Sequence, residues 1–254
     1  MEGHNYDNRA AVKGWEDYFT KWRRRSKSVR LRAGAVLDVS YGRHPRERID
    51  WFPANAPTST LVFVHGGYWQ WNDKEDFTFL AEPWLETGAD VAVLGYPLAP
   101  EATVAQITES VKRGVEFVGE KSQGELIIMG WGAGSQLATQ AGSGADKVIG
   151  LSGIYDLHPL LVTSINDEAK MSLEIATRCS PVLNPPRARC LVGFGADERV
   201  ALRQQSEVYF KAVQAGGIPA VFYEWPGLNH YSILDECASA NGKVFKDLEK
   251  FVFS

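Results

Sequence analysis

The sequence predicts an α/β fold, a doubly wound and mostly parallel sheet within a single domain that spans residues 1–254. Three observations lead to this prediction. A chain of 254 residues with 44% hydrophobic content can bury a substantial core as one domain. From residue 60 onward, short apolar runs alternate with helical segments, which is typical of parallel strands joined by helices. Each run is apolar on both faces, as expected for strands that helices cover on both sides.

The predicted elements follow one another along the chain. An amphipathic helix is expected over 7–27, and two β segments near 35–41 and 48–52 form an antiparallel start to the sheet. The central strands are predicted at 61–64, 91–94, 126–129, 148–151, 190–194 and 220–225. Helices are expected near 74–87, 103–119, 134–142, 200–215 and 241–252.

One insertion interrupts this alternation. Residues 156–188 contain helix-like patches and four prolines but no clear strand. An insertion of this size at the carboxyl edge of a sheet, where ligands bind, predicts a lid over the site. The alternative, given the same weight, is an ordinary surface segment without such a role.

Composition narrows the class of protein. The net charge of −4 and the pI of about 5.8 argue against nucleic acid as a partner. No apolar run reaches the length of a membrane span, and the first ten residues lack the apolar core of a secretion signal. Three cysteines without C-x-x-C spacing fit reduced thiols. The composition therefore predicts a cytoplasmic protein without a disulfide framework or a zinc site. No cofactor is expected, and whether the protein forms a homodimer is left open.

A glycine-spaced turn follows the predicted strand at 126–129. Its sequence, Gly130-Trp131-Gly132-Ala133-Gly134, has the setting of the G-x-S-x-G nucleophile elbow of α/β-hydrolases, with Gly132 where the serine would stand. Ser135 lies about 5 Å further along the helix axis by the rise of one turn, so it is expected to pack on the sheet rather than replace the nucleophile.

The run His65-Gly66-Gly67-Tyr68 follows the predicted strand at 61–64. In α/β-hydrolases such a loop supplies one oxyanion-hole donor, and the residue after the nucleophile supplies another. The candidate donors are the N–H groups of Gly66, Gly67 or Tyr68 and of Ala133. The alternative is a tight glycine turn without catalytic duty, and His65 is expected to be a structural hydrogen-bonding residue.

Two later loops offer an acid and a base. Asp197 and Glu198 follow the predicted strand at 190–194, and His230 follows the last strand. The order elbow, acid, histidine is that of an α/β-hydrolase triad, although a charged loop tip is the alternative for the acidic pair. Aromatic residues near these loops are expected to wall a pocket for an aryl substrate, with ordinary packing as the alternative. The candidates are Trp69, Trp131 and Tyr231, together with Tyr68, Trp71 and Trp225.

With these motifs the chain resembles the bacterial arylformamidases, which are kynurenine formamidase-like proteins. The resemblance covers almost the whole chain and includes "YDNRAAV", "HGGYW", "LSGIYDLHPL", "TSIND", "RQQS" and "GLNHYSILDE". It implies a metal-free cytoplasmic enzyme of tryptophan breakdown that cleaves the formamide of N-formylkynurenine, with relatives that cleave aryl esters. It also implies that Glu198, preferred over Asp197, is the acid, that His230 is the histidine, and that Gly132 occupies the nucleophile position.

The elbow departs from the resembled family at several positions. That family usually has G-H-S-A-G-G-H-L, whereas this chain has G-W-G-A-G-S-Q-L. Several differences together favour natural divergence, whereas the retained His230, acid and HGGYW loop favour a single engineered replacement, and the sequence leaves both open. Three functions follow as hypotheses. The first is a hydrolase of aryl formamides, amides or esters with weak or absent activity; the others are a lyase-like or isomerase-like enzyme with His230 as base, and a catalytically silent ligand-binding protein.

Overall fold

A computed structural model describes residues 5–254. Residues 1–4 lie outside the described residues. The prediction that the first ten residues contain no secretion signal falls partly on them. Within residues 5–254 the strands are β1 Val36–Ser40, β2 Arg48–Phe52, β3 Ser59–Val64, β4 Ala89–Leu94, β5 Glu125–Trp131, β6 Lys147–Leu151, β7 Arg189–Gly195 and β8 Ala220–Trp225.

These strands form one sheet in the order β1-β2-β4-β3-β5-β6-β7-β8. The strands from β4 to β8 in this order pair in parallel, whereas β1 pairs with β2 and β2 with β4 in antiparallel fashion. Every residue of β3, β4 and β6 is buried, as expected for central strands that helices cover on both faces. The predicted mostly parallel, doubly wound sheet with an antiparallel start is confirmed.

The helices cover both faces of the sheet. They are α1 Asn8–Ala11, α2 Trp15–Arg30, α3 Ala81–Glu86, α4 Val104–Gly119, α5 Ala133–Gln140, α6 Asn166–Ala169, α7 Leu173–Cys179, α8 Val200–Ala215, α9 Ser232–Cys237 and α10 Lys243–Val252. Trp22 of α2 and Phe245 of α10 pack with Phe63 on one face. Val111 of α4 and Leu137 of α5 pack with Val64 on the other. Neighbouring side chains of β3 therefore enter opposite cores, because strand side chains alternate.

Two helix predictions need correction, and one helix was not predicted. The helix expected over 7–27 is two helices, because Gly14 adopts a left-handed conformation with φ of 71° between them. The helix expected at 74–87 is two 3₁₀ turns followed by α3. The short helix α9 was not predicted, since it follows His230 in a segment interpreted as a loop.

The insertion at 156–188 has no strand, as predicted. It contains a 3₁₀ helix, His158–Val162, followed by α6 and α7. Its role as a lid stays a prediction. Among the described helices, none is long and apolar enough to cross a membrane.

Sheet topology brings the loops of the sequence motifs together. The chain leaves β3 toward β4 on one side and later returns to form β5 on the other side of β3, so the connections change direction between β3 and β5. Val64 at the end of β3 lies opposite Gly130 near the end of β5. The carboxyl edge at such a switch point is where ligands bind in open α/β sheets.

Candidate active site

A cavity of about 590 Å³ opens at this carboxyl edge. Its wall combines the predicted loops with the N-terminal segment and part of the insertion. The lining residues are Tyr6, Asp7, Asn8, Arg9, Phe19, Gly67, Tyr68, Trp71, Asn72, Trp131, Gly132, Ala133, Ile154, Ser164, Ile165, Leu202, His230 and Tyr231. The volume suits a small organic molecule.

Gly132 lies at the tip of a sharp turn between β5 and α5. Its φ of 58° and ψ of −124° belong to a region that residues with a side chain rarely adopt. The flanking glycines are required by close packing, because a Cβ on Gly130 would lie 2.2 Å from the oxygen of Gly134, and one on Gly134 would lie 2.1 Å from the oxygen of Val64. The G-x-G-x-G spacing therefore encodes the backbone of a nucleophile elbow without its serine.

Ser135 does not face the cavity. It is completely buried, and its Oγ lies 2.9 Å from the carbonyl oxygen of Gly130 and 3.0 Å from that of Leu151. The hydroxyl thus ties α5 to β5 and β6, as a small helix residue packed on the sheet.

His230 and Glu198 form a buried pair. The Nδ1 atom of His230 lies 2.9 Å from Oε2 of Glu198. Oε1 of Glu198 accepts hydrogen bonds from the N–H of Gly195 at 2.8 Å and from the hydroxyl of Ser152. These bonds hold the carboxylate in place, and its contact with Nδ1 directs Nε2 away from the acid.

Asp197, the other acidic candidate, is exposed, and its N–H donates to the carbonyl of Leu228 at 3.0 Å. The structure therefore places Glu198 rather than Asp197 beside the imidazole of His230. The two neighbours differ because the turn after β7 directs one side chain inward and the other to solvent.

The His230 ring faces the nucleophile position. A Cβ placed on Gly132 would lie 3.5 Å from both Cε1 and Nε2 of the ring, which is ordinary van der Waals contact. Trp131 supports this arrangement, because its indole N–H donates to the carbonyl of His230 at 2.9 Å and its ring lies 4.6 Å from the imidazole. A side chain at residue 132 would therefore be within reach of the imidazole.

The predicted donor residues surround the same point. Gly67, Tyr68 and Ala133 line the cavity, whereas Gly66 lies just behind it, with its Cα 3.9 Å from a Cβ placed on Gly132. Ala133 begins α5, so its N–H has no partner within the helix. Gly67 and Tyr68 have φ of 117° and 50°, so the loop backbone turns sharply at the cavity wall.

Two of the predicted aromatic wall residues lie elsewhere. Trp69 is completely buried and donates its indole N–H to Gln136, away from the cavity, so its assignment to substrate binding is corrected. Trp225 is also buried and donates to Asp247. In the loop after β3, Gly67, Tyr68 and Trp69 all have positive φ, so no regular alternation tells from the sequence which aromatic ring faces inward.

Trp131, Tyr231 and Tyr68 do line the cavity, as predicted for a substrate wall. Burial raises the pKa of the Tyr68 and Tyr231 phenols above the ordinary value, so both are neutral at pH 7. The Tyr68 hydroxyl donates to the carbonyl of Tyr6, which fixes its ring.

The N-terminal segment at residues 6–9 was not predicted to contribute to the site. It forms one side of the cavity, and Arg199 holds it through a bond from its Nε to the carbonyl of Asp7 at 2.8 Å. The sequence signal that could have revealed this contribution is the run "YDNRAAV". The resembled family shares this run, and the periodicity of an amphipathic helix does not explain it.

His65 is buried beneath the loop that it precedes. Its Nδ1 lies 2.9 Å from the oxygen of Gly66, and the Tyr96 hydroxyl donates to its carbonyl at 2.7 Å. Burial lowers the pKa of His65 to about 4, and its Nε2 has no hydrogen-bond partner among the described residues. The ring is therefore neutral and structural.

Within residues 5–254, no group of three or more His, Cys, Asp or Glu side chains is placed to hold a metal ion.

The chain is similar in sequence to proteins named kynurenine formamidase. That of Danio rerio is 31% identical over 239 residues, which are 85% of this chain and 82% of the relative. That of Salmo salar is 29% identical over 247 residues, or 87% of this chain and 83% of the relative. Residues 52–172 match the BD-FAE family model.

Solved structures show the same architecture. A protein of Silicibacter sp. TM1040 with the provisional name thioesterase has a TM-score of 0.87 and 30% identity, covering 96% of this chain and 97% of its own. Esterase B of Lactobacillus Rhamnosis has a TM-score of 0.71 over 97% of this chain and 94% of its own; at 12% identity it shows the fold alone. The chain therefore belongs to the kynurenine formamidase family, within the arylformamidase and esterase type of α/β-hydrolases.

Proposed function

We propose that this protein binds small aryl formamides, amides or esters and hydrolyses them slowly, with water in place of the missing serine hydroxyl. The observation that carries the proposal is the position of His230, whose Nδ1 lies 2.9 Å from Glu198 while its Nε2 lies 3.5 Å from the Cβ position at residue 132. A histidine held in this way is a competent general base.

Each step of this proposal uses a group on the cavity wall. Nε2 of His230 takes a proton from a water molecule that occupies the space left by the absent side chain of Gly132. The resulting hydroxide attacks the carbonyl carbon, and the N–H groups of Ala133 and of Gly67 or Tyr68 stabilise the oxyanion. The intermediate then expels the amine or alcohol, which receives its proton from His230. Glu198 stabilises the transient imidazolium.

The absent serine sets the expected rate. Removing the nucleophile from a comparable triad lowers turnover on the order of a million-fold and leaves residual catalysis from the oxyanion hole and binding. The same arrangement without serine forms no acyl-enzyme at residue 132. Slow, single-phase hydrolysis is therefore the kinetic behaviour that we expect.

The aromatic wall supports an aryl substrate. Trp131, Tyr231 and Tyr68 line the cavity together with Trp71 and Phe19. Flat rings of this kind pack well against a planar group. Ser164 and Ile165 belong to the insertion at 156–188 and also line the cavity, which supports the proposal that part of the insertion covers bound substrate.

One observation favours a second function, a ligand-binding protein without catalysis. Glycine is the residue best suited to the φ of 58° at position 132, so the replacement of serine removes backbone strain as well as the nucleophile. A non-hydrolytic enzyme with His230 as base would use the same pair, with the oxyanion donors stabilising an enolate.

The decisive experiment measures hydrolysis of N-formylkynurenine and p-nitrophenyl acetate by the natural chain and by His230→Gln. We expect slow turnover without a burst, no acyl adduct in the intact-protein mass, and loss of turnover in the variant. Turnover that survives in His230→Gln, or an acyl adduct on the protein, contradicts the proposal. Binding of these compounds without any turnover would instead support the silent binding protein.

A further inference from the structure

Arg9 is the arginine on the cavity wall. Its guanidinium carbon lies 4.0 Å from the ring centroid of Trp71 and 4.6 Å from that of Trp15. Contacts of this kind attract a cation to the faces of the indole rings and restrict the movement of its side chain. The guanidinium therefore has a defined position at the edge of the cavity.

The contacts with the two indole rings leave N–H donors of Arg9 available for a ligand. A guanidinium carries five N–H donors in one plane, more than two ring contacts can occupy. Within residues 5–254, Arg9 donates no hydrogen bond and has no carboxylate within 4.0 Å. By contrast, Arg25 and Arg46 each form an ion pair, with Glu82 at 2.5 Å and Asp73 at 2.9 Å respectively.

Charges on the cavity wall indicate which anion suits this position. Asp7 also lines the cavity, and its Oδ1 accepts the N–H of Ala10 at 3.0 Å. A single arginine with a carboxylate nearby suits a monoanion better than a phosphate, whose second charge would meet repulsion from Asp7. A carboxylate also matches the paired in-plane donors of a guanidinium.

The aromatic neighbours of Arg9 connect this position to the predicted substrate wall. Trp15 stacks on Tyr231, with ring centroids 6.4 Å apart and an angle of 28° between the ring planes. Tyr231 in turn lies next to His230, with ring centroids 5.5 Å apart. Arg9 and the general base thus share one continuous wall.

We propose that Arg9 is a specificity-determining residue that binds a carboxylate on the substrate. The carboxylate in question lies on the substrate apart from the bond to be cleaved, and the new element is its recognition by Arg9. This inference rests on the proposed function, because it concerns the same cavity. Arg9 would act on binding and orientation and would take no part in proton transfer.

The test compares two matched probes, 2-formamidobenzoate and its neutral analogue 2-formamidobenzamide. Their dissociation constants are measured by calorimetry with the natural chain, with Arg9→Gln and with Arg32→Gln, an exposed arginine outside the cavity. We expect the natural chain and Arg32→Gln to favour the carboxylate by about tenfold or more. Arg9→Gln should lose this preference while keeping the affinity of the natural chain for the neutral probe, which also shows that the variant is folded.

Each other outcome overturns a defined part of the reasoning. A preference for the carboxylate that persists in Arg9→Gln, or equal affinity of the natural chain for both probes, overturns the role of Arg9 and leaves the aryl pocket intact. Phenyl phosphate that binds more tightly than benzoate overturns the choice of a carboxylate. If neither amide probe binds the natural chain, the proposed function fails, and this inference fails with it.

Discussion

Replacing Gly132 by serine is the perturbation that tests the candidate site most directly. A serine Cβ at this position would lie 3.5 Å from Nε2 and Cε1 of His230 and 3.9 Å from Cα of Gly66, so it fits without displacing its neighbours. Its hydroxyl would then reach the imidazole at hydrogen-bond distance. Glu198 is already in place behind the ring. We therefore expect Gly132→Ser to complete a triad.

The substitution has a cost in stability that follows from the backbone. A non-glycine residue in a sparsely populated region such as φ 58°, ψ −124° costs about 1–3 kcal/mol. Loss of glycine flexibility in the unfolded chain offsets about 0.4–1 kcal/mol of this. We expect a net loss of about 1–2 kcal/mol, which lowers Tm by roughly 2–8 °C for a chain of this size.

The gain in activity is measured against Gly132→Ala. That variant has the same Cβ and the same backbone strain but no hydroxyl, so the difference between the two isolates the nucleophile. A complete triad is worth on the order of a million-fold in turnover. Since Trp131 and Gln136 also differ from the usual elbow, we expect a partial recovery of about a thousand-fold or more, on p-nitrophenyl acetate or N-formylkynurenine. Stopped-flow kinetics should show a burst from the acyl-enzyme in the serine form alone.

One result would refute this reasoning. If Gly132→Ser and Gly132→Ala are both folded and equally inactive, while the natural chain still binds the aryl probes, the hydrolase geometry is not preserved in solution. The pocket would then have been adapted to another use.

Two further predictions concern the acid and a buried histidine. In the Gly132→Ser background, Glu198→Gln should lower the rate roughly 10³- to 10⁴-fold, because the imidazole loses its orienting acid, whereas the exposed Asp197→Asn should not change it; the reverse pattern would reassign the acid. Burial lowers the pKa of His65 to about 4 in the folded protein, so only the unfolded chain takes up this proton between pH 6.5 and 4. Its contribution to stability is therefore complete above pH 6.5 and decreases as the pH falls toward 4, by up to about 3 kcal/mol. Urea unfolding at pH 7.5 and 5 should show this decrease in the natural chain and a smaller one in His65→Gln, and equal decreases would exclude His65 as the source.

Much of the site could be predicted from order along the chain. In a parallel sheet every strand ends at the same edge, so residues that directly follow buried strands must come close together. This rule is sufficient to bring Gly132, Glu198 and His230 to one region. The rule does not say which of two adjacent acids turns inward, because that depends on the backbone of a single turn.

The contribution of the N-terminal segment could not be predicted in this way. Residues 6–9 lie far in sequence from the strand ends and are placed by tertiary contacts, such as the bond from Arg199 to Asp7 and the packing of Arg9 on Trp71. Trp69 and Trp71 illustrate the same limit. Both follow β3 in one short run, yet one is buried beside Gln136 and the other lines the cavity.

The sequence by itself determined the fold class, the presence of glycine at residue 132 of the elbow and the chain order of that glycine, Glu198 and His230. These properties depend on local composition, periodicity and residue identity, which are written directly in the chain. Only the tertiary structure decided that Glu198 contacts His230, that the empty side-chain position lies within reach of the imidazole, and that Arg9 lines the cavity. These findings concern distances between residues that are far apart in the sequence. Such distances are determined by the packing of the whole chain.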